Sequence, residues 1–106
     1  DLESLRVRID ALEQELGVRQ QALAAERAEL VDLGQRMERL RADGDSIGYN
    51  SLVAGYNRNA RLYNERLEAF RRTAEEYTRL VDLYNTSIAR LYDRAGIARA
   101  LSGSPG

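Results

Sequence analysis

From Tyr49 to Ile88 an aromatic residue returns at every seventh position: Tyr49, Tyr56, Tyr63, Phe70, Tyr77 and Tyr84, with Leu91 continuing the series. Three or four residues from each ring lies a smaller apolar residue: Val53, Ala60, Leu67, Ala74, Val81, Ile88 and Ala95. Steps that alternate between four and three form a heptad repeat, which keeps one seam of a helix turned towards a partner helix. The first part of the chain carries a matching pattern in Leu2, Leu5, Ile9, Leu12, Leu16, Leu23, Leu30, Leu33, Met37 and Leu40. Two of its seam positions are charged, Arg19 and Glu26. Gly17 and Gly34 weaken this helix by about 1 kcal/mol each relative to alanine, and both fall off the expected seam.

Between the two patterns stands Ala42-Asp43-Gly44-Asp45-Ser46-Ile47-Gly48. Gly44 suits the left-handed residue that closes a helix, and Asp45 or Ser46 can cap the next one. So short a connection between two long helices makes them antiparallel. The expected organisation is a first helix over 1–42, a turn over 43–48, a second helix over 49–95 ended by Gly96, and a flexible tail over 96–106. The fold class that follows is all-α: an antiparallel two-helix coiled-coil hairpin, with dimerisation into a four-helix bundle left open. Asp43 and Asp45 faintly suggest a calcium loop, but the twelfth position from Asp43, where an EF-hand needs glutamate, is Ala54.

Arithmetic fixes a register. If facing residue numbers sum to 93, Met37 meets Tyr56, Leu30 meets Tyr63, Leu23 meets Phe70, Leu16 meets Tyr77, Ile9 meets Tyr84 and Leu2 meets Leu91. The layers between them include Leu33 with Ala60, Glu26 with Leu67 and Arg19 with Ala74. Large rings then meet aliphatic side chains, and the alanines let the helices close up. Each ring contributes about 1.5–3 kcal/mol on burial, with its hydroxyl free to reach past the seam. At a rise of about 1.5 Å per residue the hairpin is roughly 60 Å long.

Composition agrees with this shape and narrows the chemistry. Of 106 residues 31% are charged, and the one proline is Pro105, so nothing interrupts helix before the tail. The formal charge of −1 argues against a protein that neutralises nucleic-acid phosphates, and no nucleic-acid partner is expected. All sixteen basic residues are arginine, which fits a coding bias better than any special chemistry. Charge is split between the halves. Residues 1–47 hold seven Arg and eleven acids, net −4, and residues 48–106 hold nine Arg and six acids, net +3, so the two helices attract. There is no cysteine and no histidine, no glycine-rich phosphate loop, and no apolar run long enough to enter a bilayer. No catalytic residue, cofactor site or metal site is assigned, and the chain is not expected to be an enzyme. Its abrupt start inside a helical pattern suggests a fragment of a longer protein.

The most specific signal is the asparagine that follows four of the tyrosines: Asn50, Asn57, Asn64 and Asn85. Asparagine is a poor helix former, so its recurrence at one heptad position asks for a reason. One reading is structural, with the amide bonding to a backbone carbonyl, a tyrosine hydroxyl or a partner chain. The other is a polar-aromatic stripe that binds a glycan or peptide. The flanks of the second helix, with Asn50, Asn57, Asn64, Arg71, Thr78 and Asn85 on one side and Leu52, Asn59, Arg66, Thr73, Leu80 and Ser87 on the other, are more neutral than a solvated coiled coil usually carries. The first helix offers a weak second stripe in Val7, Ala11, Val18, Ala22 and Ala25. A second copy of the chain, or another protein, is therefore the expected partner. In the seam, Arg19 is expected to extend past Ala74 towards Glu75 or Glu76, and Glu26 to reach Arg66.

The run Tyr49-Asn50-Ser51-Leu52-Val53, followed by Tyr56-Asn57 and Tyr63-Asn64, resembles Tyr-Asn heptad regions of uncharacterised exported bacterial proteins. Some of those join such a region to a matrixin-like zinc protease domain, whose HExxH motif is absent from this histidine-free chain. What the resemblance implies is a spacer or assembly region of the cell envelope. The reading as a whole is a non-catalytic spacer, scaffold or oligomerisation element of a larger protein; the alternative is a recognition module that uses the Tyr/Asn stripe.

Overall fold

The structure is a computed structural model that describes the backbone of residues 1–102 and the side chains of residues 1–96. It is all-α. Helix α1 spans Leu2–Ala42, helix α2 spans Ser46–Ser102, and the two pack against each other as an antiparallel hairpin. The extents are 90 × 21 × 15 Å, two helices wide and little more than one helix thick.

Helix α1 begins and ends, and helix α2 begins, on local chemistry that the sequence supplies. Asp1 caps α1: its carboxylate accepts the Ser4 N–H at 3.0 Å, and its carbonyl accepts the Leu5 N–H at 3.1 Å. At the other end Gly44 takes φ of +75°, the only positive φ among the described residues. The Gly44 N–H donates to Arg41 O at 3.1 Å and the Asp45 N–H to Leu40 O at 2.9 Å, the paired bonds of a Schellman closure. Asp45 then starts α2, accepting the Gly48 N–H on its carboxylate at 2.8 Å and the Tyr49 N–H on its carbonyl at 3.0 Å. Both acids of the turn thus have a place in helix ending and helix starting.

These bonds shorten the connection. The expected turn over 43–48 is reduced to Asp43, Gly44 and Asp45, because Asp45 caps early enough to take Ser46, Ile47 and Gly48 into the first turn of α2. The other end of α2 is corrected as well. The helix does not stop at Gly96 but runs on to Ser102, so most of the expected tail is helical, and residues 103–106 lie outside the described residues. A single glycine costs a helix about 1 kcal/mol. Gly96 lacks the left-handed conformation that would close α2 there.

The seam is narrow. Among the described residues only Leu12 (1% exposed), Leu23 and Met37 are buried, all on α1. Leu2, Leu5, Ile9, Leu16, Leu30, Leu33 and Leu40 are half-buried, as are Tyr49, Tyr56, Tyr63, Phe70, Tyr77 and Tyr84. Leu2 and Leu91, facing residues in the expected register, line one shallow hollow at the open end of the hairpin.

The glycines give a test with two signs. Gly17 is exposed with open space where a Cβ would stand, so Gly17→Ala should raise unfolding free energy by about 1 kcal/mol. Gly44→Ala forces a Cβ into the left-handed region and should lower it by about 1 kcal/mol. Urea denaturation followed by circular dichroism reads both, and equal effects at the two positions would contradict this turn.

Candidate functional site

The two broad sides of the hairpin differ. On one side α2 turns a line of residues towards α1, and Leu52, Thr73, Leu80 and Ser87 are half-buried, with Ala69 and Glu76 behind them. Both ion pairs that cross between the helices lie here, Arg66 to Glu26 at 2.6 Å and Arg8 to Glu76 at 3.1 Å. The Thr73 hydroxyl is satisfied within its own helix by Ala69 O at 3.1 Å. This is the closed side.

The opposite side is open. Asn50, Asn57, Asn64 and Asn85 are all exposed, and none of their side-chain amides makes a hydrogen bond within the described residues. No ion pair ties α1 to α2 on this side among those residues. The Tyr56 ring lies over Gly34, where an added Cβ would sit 3.7 Å from Cε2. Gly34 is therefore not clear of the contact, as its place off the expected seam suggested, but floors it. Further along, Tyr63 lines a shallow groove of about 530 Å³ with Leu23, Ala24, Arg27, Ala28 and Val31. Beside it Asn57, Ala60, Arg61 and Asn64 line a second open hollow. The open side thus combines ring edges, amides and small side chains with charges of both signs, among them Arg27, Asp32, Arg61, Glu65 and Glu68.

The two sides follow from side-chain chemistry. Leu52 and Leu80 gain by leaving water, so α1 is drawn towards their flank of α2. A primary amide loses hydration on burial unless it is bonded, so the asparagine flank stays out. An intrachain partner for the asparagines, one of the structural options, is thus not realised.

Of the seam residues, Leu23 and Met37 are buried, while Leu16, Leu30, Tyr56, Tyr63, Phe70, Tyr77 and Tyr84 are half-buried. The charged seam positions divide. Glu26 pairs with Arg66 across the helices, as its position predicts. Arg19 does not reach Glu75 or Glu76 but bonds Glu15 one turn back at 2.8 Å, and Arg8 takes Glu76 instead. A residue four positions away on the same helix is already in place, whereas reaching across costs side-chain freedom. No buried side-chain polar atom among the described residues lacks a partner.

Ala24, Ala28, Val31 and Gly34 belong to the open side, although their seam distance hid them from the heptad reading. The signal was there as a gap: from Ala11 to Val31 the positions of α1 furthest from the seam (Ala11, Gln14, Gly17, Val18, Gln21, Ala24, Ala25, Ala28 and Val31) carry no charge. Val18 is 69% and Val31 53% exposed. On the open side, amides that can donate and accept hydrogen bonds stand beside aromatic edges. Among the described residues no helix is long and apolar enough to cross a membrane, and no cluster of three metal-ligating side chains forms. No protein-family model matches the chain, and comparison with curated proteins and with solved structures gives no match.

Arg19 carries the prediction here. Its ion pair with Glu15 lies within one helix and is half exposed, so it contributes only a few tenths of a kcal/mol. Arg19→Leu should therefore stabilise the hairpin by roughly 0.5–1 kcal/mol through added seam burial, while Leu12→Ala should cost about 2–5 kcal/mol. Thermal unfolding measures the pair; an Arg19→Leu variant that melts lower would mean that the guanidinium has a partner other than Glu15.

Proposed function

We propose that this chain is a non-catalytic structural element: a helical hairpin that acts as a spacer, scaffold or oligomerisation element of a larger protein. The observation that carries the reading is the seam itself. Its layers run the length of α1, so the hairpin holds a fixed length of about 60 Å between its open end and its turn. A cell-envelope setting, which the Tyr-Asn resemblance implies, belongs to the same proposal.

A second reading rests on the exposed amides of Asn57 and Asn64 beside Tyr63. In it the open side is a recognition surface for a partner protein or an envelope polymer. Spin labels at Ser4→Cys and Ser46→Cys separate the two. The scaffold reading expects a narrow distance distribution near 60 Å that glycan fragments and unrelated peptides leave unchanged. A broad distribution speaks against a rigid scaffold. Saturable glycan binding that Asn57→Ala and Asn64→Ala abolish would establish recognition instead.

A further inference from the structure

The hairpin as it stands is short of buried surface. A compact monomer of 12.0 kDa exposes about 6,000 Å², whereas this chain exposes 8208 Å². Only three of its described hydrophobic residues are buried. The closed side is stitched by Arg66–Glu26 and Arg8–Glu76, while the open side holds half-buried rings, unbonded amides and the small side chains Ala24, Ala28 and Val31, with charged residues such as Arg27 and Arg61 beside them. One broad side is 21 Å wide, so along its paired length it offers on the order of 1,000 Å², more than the roughly 800 Å² per partner of a standard specific interface.

We infer that the open side takes a second copy of this chain, forming a four-helix bundle in which α1 of each copy lies over α2 of the other. The inference rests on the structural reading above and gives that element its partner and its contact face. Charge selects both the occupant and the arrangement. The α1 half is net −4 and the α2 half net +3, so α1 is on balance the acidic helix and α2 the basic one. Two copies meeting on this side are related by a twofold axis lying in the interface. An axis across the rods stacks α1 on α1 and sets acidic helix on acidic helix. An axis along the rods stacks α1 on α2 and sets acidic helix on basic helix.

The second arrangement also keeps height along the rod. Ala28, Val31 and Gln35 of one copy then meet the segment holding Asn57, Ala60 and Asn64 of the other. Both segments bear the open hollows, and alanines at positions 24, 28 and 60 let the helices approach closely. Each amide can bond across the interface, which answers why asparagine recurs at a position where the isolated hairpin gives it nothing to bond. The turns of both copies lie at one end of the bundle.

Sedimentation equilibrium of the full chain, with cysteine cross-linking in this cysteine-free background, tests this. The expected mass is that of two chains. Mixing a Val31→Cys chain with an Asn64→Cys chain under mild oxidation should give the mixed cross-link in excess of both homogeneous ones. Asn59→Cys, on the closed side, should give none with Val31→Cys. Asn57→Glu with Asn64→Glu should return the mass to one chain with helicity retained, and rising salt should weaken association. Three results would overturn the inference: a monomer at millimolar chain, cross-linking through Asn59 or between two Val31→Cys chains, or a dimer indifferent to the glutamates. A monomer that keeps the 60 Å spin-label distance would overturn the dimer alone, while loss of that distance would strike the scaffold reading.

Discussion

Everything in this molecule depends on a line of rings from α2 lying along a line of aliphatic side chains from α1. There is no broad core behind it. Leu12, Leu23 and Met37 are the residues that lose contact with water, and all three belong to the aliphatic line. The rings, Phe70 among them, stay half-buried because a seam between only two helices leaves part of each large side chain open to water. Two long helices are held in this way by many modest layers, each adding a little to a total that no single layer dominates.

That distributed support explains how the chain accommodates features that break local rules. Gly17, Gly34, Gly48, Gly55 and Gly96 all lie inside helices. Gly34 has a packing role, since the Tyr56 ring lies over it. Gly48 sits beside the Asp45 carboxylate, where a Cβ would come within 2.6 Å of Oδ2 and disturb the cap. At Gly17, Gly55 and Gly96 there is open space and no structural requirement for glycine. The charged seam positions are settled just as locally, Glu26 by Arg66 and Arg19 by Glu15.

The hairpin was legible because heptad spacing, a short turn sequence and an uninterrupted helical composition all point to one answer. Asp45 and Gly44 were readable as cap and closure from residue type alone. The end of α2 was not, since Gly96 in sequence is indistinguishable from a terminator and only its backbone conformation decides. The direction in which Arg19 extends was equally hidden, because the sequence offers acids both one turn back, at Glu15, and at the facing heptad of α2, at Glu75 and Glu76. Least legible was the inequality of the two broad sides. Heptad notation treats both flanks of a seam alike, whereas Leu52 and Leu80 draw α1 over one flank and leave Asn57 and Asn64 uncovered on the other.

The Schellman closure at Gly44 has a mechanical consequence. It joins the helices at one end only, so tension applied at the opposite end would part the layers one after another, as a zip opens, and never load the whole seam in shear. Each layer touches only its neighbours, so the force needed would stay low and nearly constant until the last layer beside Gly44 gave way. On release, that closed end would serve as the ready nucleus from which the two strands of the zip run together again.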